Sequence, residues 1–114
     1  MLIKRGDLFW VSLDPTRGSE QAGRRSVLVI QNDIGNEAAP TTIVAPLTTK
    51  SFMREYPTNV HLAKGISGLK SDSTILLSQI RTIDNSRLEK KIGHLSAACL
   101  DKVDQAIKIS LGLM

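Results

Sequence analysis

Hydrophobic periodicity changes once along this chain, and the change falls late. Through Ile92 the apolar side chains sit in short runs of strand character, and from Ser96 onward they recur at helical spacing. Asp7 to Leu13 alternates, with Phe9, Val11 and Leu13 on one side. Val27 to Gln31, Thr41 to Leu47, Asn59 to Leu62 and Thr74 to Leu77 are β-branched or aliphatic and are bounded by turn residues; Ile80 to Ile83 and Lys90 to Ile92 add shorter strands. In the last segment Ser96 is placed to cap a helix. Leu100, Val103, Ile107, Leu111 and Met114 share one face of it, while Asp101, Lys102, Asp104, Gln105 and Lys108 take the other. Five or more short strands followed by one amphipathic helix predict an α+β, mainly β fold: a small β-barrel capped by a C-terminal helix. The 114 residues fit one domain, spanning 1–114, without internal repeats.

The same composition removes several classes of protein. No apolar run approaches the ~20 residues that a membrane-spanning helix requires. The chain opens MLIKRGD, with charges where a secretion signal needs an apolar stretch, which predicts a cytoplasmic protein with no membrane partner. One cysteine, Cys99, cannot form an internal disulfide or anchor a zinc site, and it reads as a small core residue of the helix. His61 and His94 lack metal-ligand spacing, and each reads as a structural or solvent-facing side chain. No metal or cofactor is expected. Phosphate loops, dinucleotide fingerprints, nucleophile elbows and deaminase motifs are all missing.

Charge is more informative. Fifteen Lys and Arg against eleven Asp and Glu leave a net +4, and the excess sits within two loop-like segments, 15–25 and 50–70. That balance permits a polyanionic partner. In the first segment Arg24 and Arg25 close a glycine-containing loop and immediately precede a strand, so their guanidinium groups hang from a rigid edge. Arginine offers a planar fork that matches phosphate oxygens. Ser19, Glu20 and Gln21 on the same loop carry donors and acceptors suited to base edges. By composition alone a solvated polar loop is the plainer reading. Pro46-Leu47-Thr48-Thr49 brings hydroxyls to the end of a buried strand, where they commonly satisfy local backbone groups. In the second basic segment Phe52 and Tyr56 flank Arg54; this interleaving suits base stacking or a loop clasping the barrel or a partner subunit.

Taken together, KRGDLFWVSLDPTRGSEQAGRR, VLVIQND, IVAPLTT and ILLSQIRTIDNSRL resemble the MazF/PemK family of toxin endoribonucleases, in the family's order and spacing, from Ile3 through the C-terminal helix. The resemblance implies an SH3-like, strongly bent antiparallel barrel assembled as a homodimer. It implies sequence-specific, metal-independent cleavage of single-stranded RNA, chiefly mRNA. The family's catalytic arginine maps onto Arg25 and its strand-end hydroxyl onto Thr48. Ser19, Glu20, Gln21, Asn32 and Gln79 fall where the family contacts RNA, and Arg24, Thr49 and Tyr56 are added as candidates from their places in or next to the two basic segments. The implied partner is an antitoxin whose acidic, disordered C-terminal tail folds into the same groove.

RNA supplies its own nucleophile, the 2′-OH, so the protein must align it, neutralise the developing phosphorane and manage two protons. Arg25 suits the charge and Thr48 a nonbridging oxygen or the 2′-OH. Glu20 serves either as general base or in base recognition. One departure stands out: the family's G-x-R-P becomes Gly23-Arg24-Arg25-Ser26, and the loss of proline removes a constraint holding Arg25 extended. Two other readings share this fold class, a CcdB-like gyrase poison and a non-catalytic SH3-like module that binds nucleic acid.

Overall fold

The computed structural model describes residues 2–20, 23–52 and 54–113. Along them run β1 (Asp7–Ser12), β2 (Arg24–Val29), α1 (Asp33–Ala38), β3 (Thr41–Thr48), β4 (Asn59–Leu62), β5 (Ser73–Leu76), β6 (Arg81–Asp84), β7 (Leu88–His94) and α2 (Ala97–Leu111). Every pairing is antiparallel, and the strands join in the order β4–β5–β3–β2–β1–β7. β3 serves two partners along one edge: Thr41 to Val44 pair with β6, whereas Leu47 and Thr48 pair with β5. The change of partner coincides with the 3-10 turn Leu77–Gln79 between β5 and β6. Pro46, which has no N–H to give, falls at the same place.

The sheet is the bent, barrel-like arrangement expected from the sequence, left open between its end strands β4 and β7. The turn Ile66–Gly68 crosses toward β7 at that opening. Ser67 Oγ donates to the His94 carbonyl at 2.7 Å, and a Cβ on Gly93 would stand 2.0 Å from the Ser67 carbonyl oxygen. Only glycine permits this approach.

Alternation along the strands divides the interior in two. Leu8, Leu28, Ala45, Leu47, Val60 and Ile75 lie on the face covered by α2, against Val103 and Ala106. Phe9, Val11, Val27, Val29, Val44 and Ile83 fill the inside of the bend. Ser96 caps α2 by accepting from the Cys99 N–H, and Cys99 itself packs at the edge of the first cluster. The helix ends at Gly112, and Leu111, expected on the packed face, is exposed; the apolar stripe outruns the sheet it covers. Met114 lies outside the described residues.

Most strand bounds differ from the sequence reading by a residue, and three differences are larger. β2 begins at Arg24 rather than Val27, because the ladder with β1 continues through Val11↔Arg25 and Ser12↔Arg24. β7 extends to Leu88 and His94 on either side of the expected core, since β1 supplies partners along that length. The helix α1 was not expected at all. It is six residues long, and Asn32 caps it by accepting from the Gly35 N–H at 2.8 Å.

Candidate active-site groove

On β2 the apolar row Val29, Val27 ends and the same face continues as Arg25. β3 repeats the pattern one strand away: Val44 and Pro46 are followed by Thr48. Val27 pairs with Pro46 at the last rung of the β2–β3 ladder, and Arg25 and Thr48 each lie two residues beyond that rung, on the same face of their strands. The row then continues through Thr48↔Thr74 to His61↔Thr74, which adds β5 and β4. Four strands therefore contribute adjacent polar positions to one face, at the mouth of the inner core.

Arg25 is half-buried and Thr48 buried; the Thr48 hydroxyl oxygen accepts from the Lys50 N–H at 3.2 Å. Burial on the barrel wall limits the rotamers open to each, as a pre-aligned site requires. The extended strand geometry of Arg25 also answers the missing proline: ladder pairing with Val11 imposes the conformation that a following proline would favour.

Two clefts open near this row, and neither has Arg25 or Thr48 among its lining residues. One, of about 430 Å³, is lined by Leu13, Ser19, Glu20, Pro46, Gln79 and Arg81 among others. The second, of about 300 Å³, shares Ser19 and Gln79 and continues to Lys50, Phe52 and Tyr56. Ser19, Glu20, Gln79 and Tyr56, separated by up to 60 positions in sequence, thus border one continuous groove. Glu20 is the only carboxylate among the lining residues of these two clefts. It accepts a hydrogen bond from the Arg17 N–H, which fixes it to its own loop. The loop is anchored at its far end, where Gly23 donates to the Asp14 carboxylate at 3.0 Å and Leu13 donates to the Gly23 carbonyl at 2.9 Å. Phe52 and Tyr56 meet edge to face at 6.1 Å, and Lys50 Nζ lies 5.8 Å from the Phe52 ring centre.

Other candidates fall elsewhere. Arg24 sits on the opposite face of the sheet, stacked over Trp10 at 4.6 Å and paired with Glu89 at 2.8 Å. Thr49 borders a separate cleft on that side, together with Arg24 and Lys70, and also the cleft beside His61. Asn32 is at the other end of β2 from Arg25, occupied in capping α1. Its neighbour Asp33 accepts from the Arg5 N–H at 2.6 Å, and that bond holds the carboxyl below the usual aspartate range. Gln21 lies outside the described residues. Arg81 was not singled out from the sequence, yet it borders the first cleft and donates to the Leu13 carbonyl at 3.2 Å; its signal was its place within QIRTID. Both histidines are held by side-chain contacts. His94 holds the buried Asp7 carboxylate at 2.8 Å, tying β7 to β1, and among the described residues no three His, Cys, Asp or Glu side chains gather as a metal site.

The whole-chain comparisons bear on this geometry. The family model of PemK-like, MazF-like toxins of type II toxin-antitoxin systems matches residues 4–111. The chain belongs to the MazF/PemK toxin family. It is 52% identical to Endoribonuclease EndoA of Bacillus subtilis over 114 residues, covering 100% of this chain and 98% of that protein. Among solved structures, MazF from Deinococcus radiodurans is similar at a TM-score of 0.84 and 25% identity, with 99% of each chain covered. A MazE-MazF structure from the same organism is similar at a TM-score of 0.77 and 27% identity, covering 100% of this chain and 99% of that one. Family membership favours the MazF/PemK reading over the gyrase poison and the passive binding module. Among the described residues of this MazF/PemK chain, no helix is long and apolar enough to cross a membrane.

Proposed function

We propose that this MazF/PemK-family endoribonuclease cuts single-stranded RNA at a short recognition sequence, without a metal ion, leaving 2′,3′-cyclic phosphate and 5′-OH ends. The observation that carries the reading is the placement of Arg25 and Thr48 on one face of the sheet, each two residues beyond the Val27–Pro46 pair, near clefts bordered by Ser19, Glu20 and Gln79. The 2′-oxygen attacks the neighbouring phosphorus and the bond to the 5′-oxygen breaks. The 2′-OH gives up its proton, and the departing 5′-oxygen takes one. Arg25 binds the scissile phosphate and neutralises charge that grows in the transition state. Thr48 donates to a nonbridging oxygen or orients the 2′-OH. Base edges are accessible in an unpaired strand, and Gln79, Ser19 and Arg81 offer donors and acceptors to read them. Phe52 and Tyr56 offer stacking surfaces to neighbouring bases.

Glu20 has two uses here, acceptance of the 2′-OH proton or of a base N–H. Glu20→Gln separates them: loss of rate at every site marks the first, and a changed cut sequence the second. The toxin acts in the cytoplasm as a homodimer of one-domain subunits. An antitoxin with an acidic C-terminal tail silences it by occupying the groove.

The test is cleavage of a long, weakly structured RNA in excess EDTA, with cut sites mapped by primer extension and the new ends analysed. Discrete cuts at one short sequence with cyclic-phosphate ends are expected from the parent protein. Arg25→Ala should lose roughly 10²–10³ in rate while remaining folded. Intact RNA from the folded parent would overturn the reading.

A further inference from the structure

At the outer end of the polar row, His61 joins two parts of the molecule that are otherwise separate. Its Nδ1 lies 2.9 Å from the Thr74 hydroxyl, directly across the β4–β5 ladder, and its Nε2 lies 3.2 Å from the Glu55 carboxylate. Thr74 is buried, and on its other side it pairs with Thr48. Glu55 belongs to the segment between β3 and β4, which has no strand or helix among its described residues, and its side chain is 88% exposed. That segment carries Lys50, Phe52 and Tyr56, which border the groove beside Ser19 and Gln79. Lys50 and Phe52 also border the cleft of about 520 Å³ that contains His61. An imidazole whose two nitrogens point in different directions can hold a fixed strand with one and a loop with the other.

We propose that His61 is a positioning residue for RNA binding: by bridging Glu55 to Thr74 it fixes the segment carrying Lys50, Phe52 and Tyr56 over the groove. This assignment rests on the RNA-groove reading above and deepens it. Restricting a loop before the ligand arrives removes part of the ordering cost of binding, so the bridge acts on substrate affinity and leaves the chemical step alone. Exposed ion pairs contribute little to global stability. The bridge therefore belongs to placement of the loop and not to holding the barrel together.

Two near-isosteric substitutions divide the bridge. His61→Gln puts its amide near the Nε2 position and keeps a partner for Glu55; His61→Asn puts its amide near Nδ1 and keeps only Thr74. In the full-length protein, steady-state cleavage of a short RNA containing the mapped site should give a KM raised roughly three- to fivefold by His61→Ala, His61→Asn and Glu55→Ala. Their kcat should stay within about twofold of the parent. His61→Gln should restore KM toward the parent value. The double variant lacking both His61 and Glu55 should be no worse than either single one, because one bridge cannot be lost twice. Thermal unfolding checks that each variant is folded.

An unchanged KM in His61→Ala and Glu55→Ala, equal behaviour of the Gln and Asn variants, or additive effects in the double variant would each overturn the assignment. Arg25→Ala is run alongside. Loss of cleavage in that variant with no effect at His61 refutes the bridge alone, whereas full cleavage by Arg25→Ala refutes the underlying site.

Discussion

The two faces of strands β2, β3 and β5 make opposite use of the same backbone. On the α2 side, Leu28, Leu47 and Ile75 are buried with α2 packed against them, and past Leu28 the β2 row ends as Ser26 and Arg24, where Arg24 is taken up by Trp10 and Glu89. On the other side, Val27 and Val44 are equally buried, but the row finishes as Arg25, Thr48 and Thr74. A one-residue offset decides which face a side chain joins. The lesson is a division of labour along each strand: apolar residues on one face hold fixed a backbone whose neighbouring residues present polar groups to a groove.

Substitutions on the two faces should therefore fail differently. Leu28→Ala, at a fully buried position, should lower stability by about 2–5 kcal/mol. Calorimetry should show Tm falling by roughly 8 °C or more, with cleavage per folded molecule retained well below the transition. Arg25→Ala should do the reverse, losing roughly 10²–10³ in rate with its Tm close to the parent's. Equal damage to both properties in either variant would break the comparison. Thr48→Val keeps shape and burial but removes the hydroxyl, and should cost roughly ten- to a hundredfold in kcat, about one hydrogen bond to a charged oxygen. Ser96→Ala, which removes the α2 cap, should cost about 1 kcal/mol of stability and leave KM and kcat alone.

The smallest effect concerns acid, far from the groove. The Arg5 N–H lowers the folded-state pKa of Asp33, so the unfolded chain takes up that proton first. Its contribution to stability is complete above the ordinary aspartate range and disappears as pH falls below about 4. Asp33→Asn should lower Tm slightly at pH 7, and the gap from the parent should close near pH 3. Cleavage at neutral pH should not change.

Much of this was legible in the chain, for reasons that differ by element. β4 was read at its exact bounds because its alternating residues stand between turn residues, and the start of α2 because its cap is a local signal. The helix α1 was missed: six residues with a glycine in the middle carry no periodicity, and its support comes from Asn32 and the buried Asn36. The start of β2 was misplaced because a strand beginning with two arginines and a serine is set by its partner, not its own propensity. At the site, the family resemblance pointed to Arg25 and Thr48, whereas residue types alone favoured a solvated loop; what brings these positions, 23 apart in sequence, to one face is the pairing of Val27 with Pro46. Arg24 shows the same limit. Adjacent to Arg25 in sequence, it is turned to the opposite face by the pleat and is taken up by Trp10 and Glu89. The partners of His61 were equally hidden, since an alternating strand pattern does not reveal what stands across the ladder.

The seam where Gly93 meets Ser67 has a consequence for life in a crowded solution. An open barrel has a terminal strand, and a bare terminal strand is a template on which another chain can add itself. Here β7 has β1 on one side, and over Ile92 to His94 the turn Ile66–Gly68 lies against it so tightly that a methyl group at Gly93 would collide with backbone. Gly68 and Gly93, where an added Cβ would stand 2.7 Å and 2.0 Å from backbone oxygens, thus let the turn shield part of an exposed border although the circle of strands is not completed.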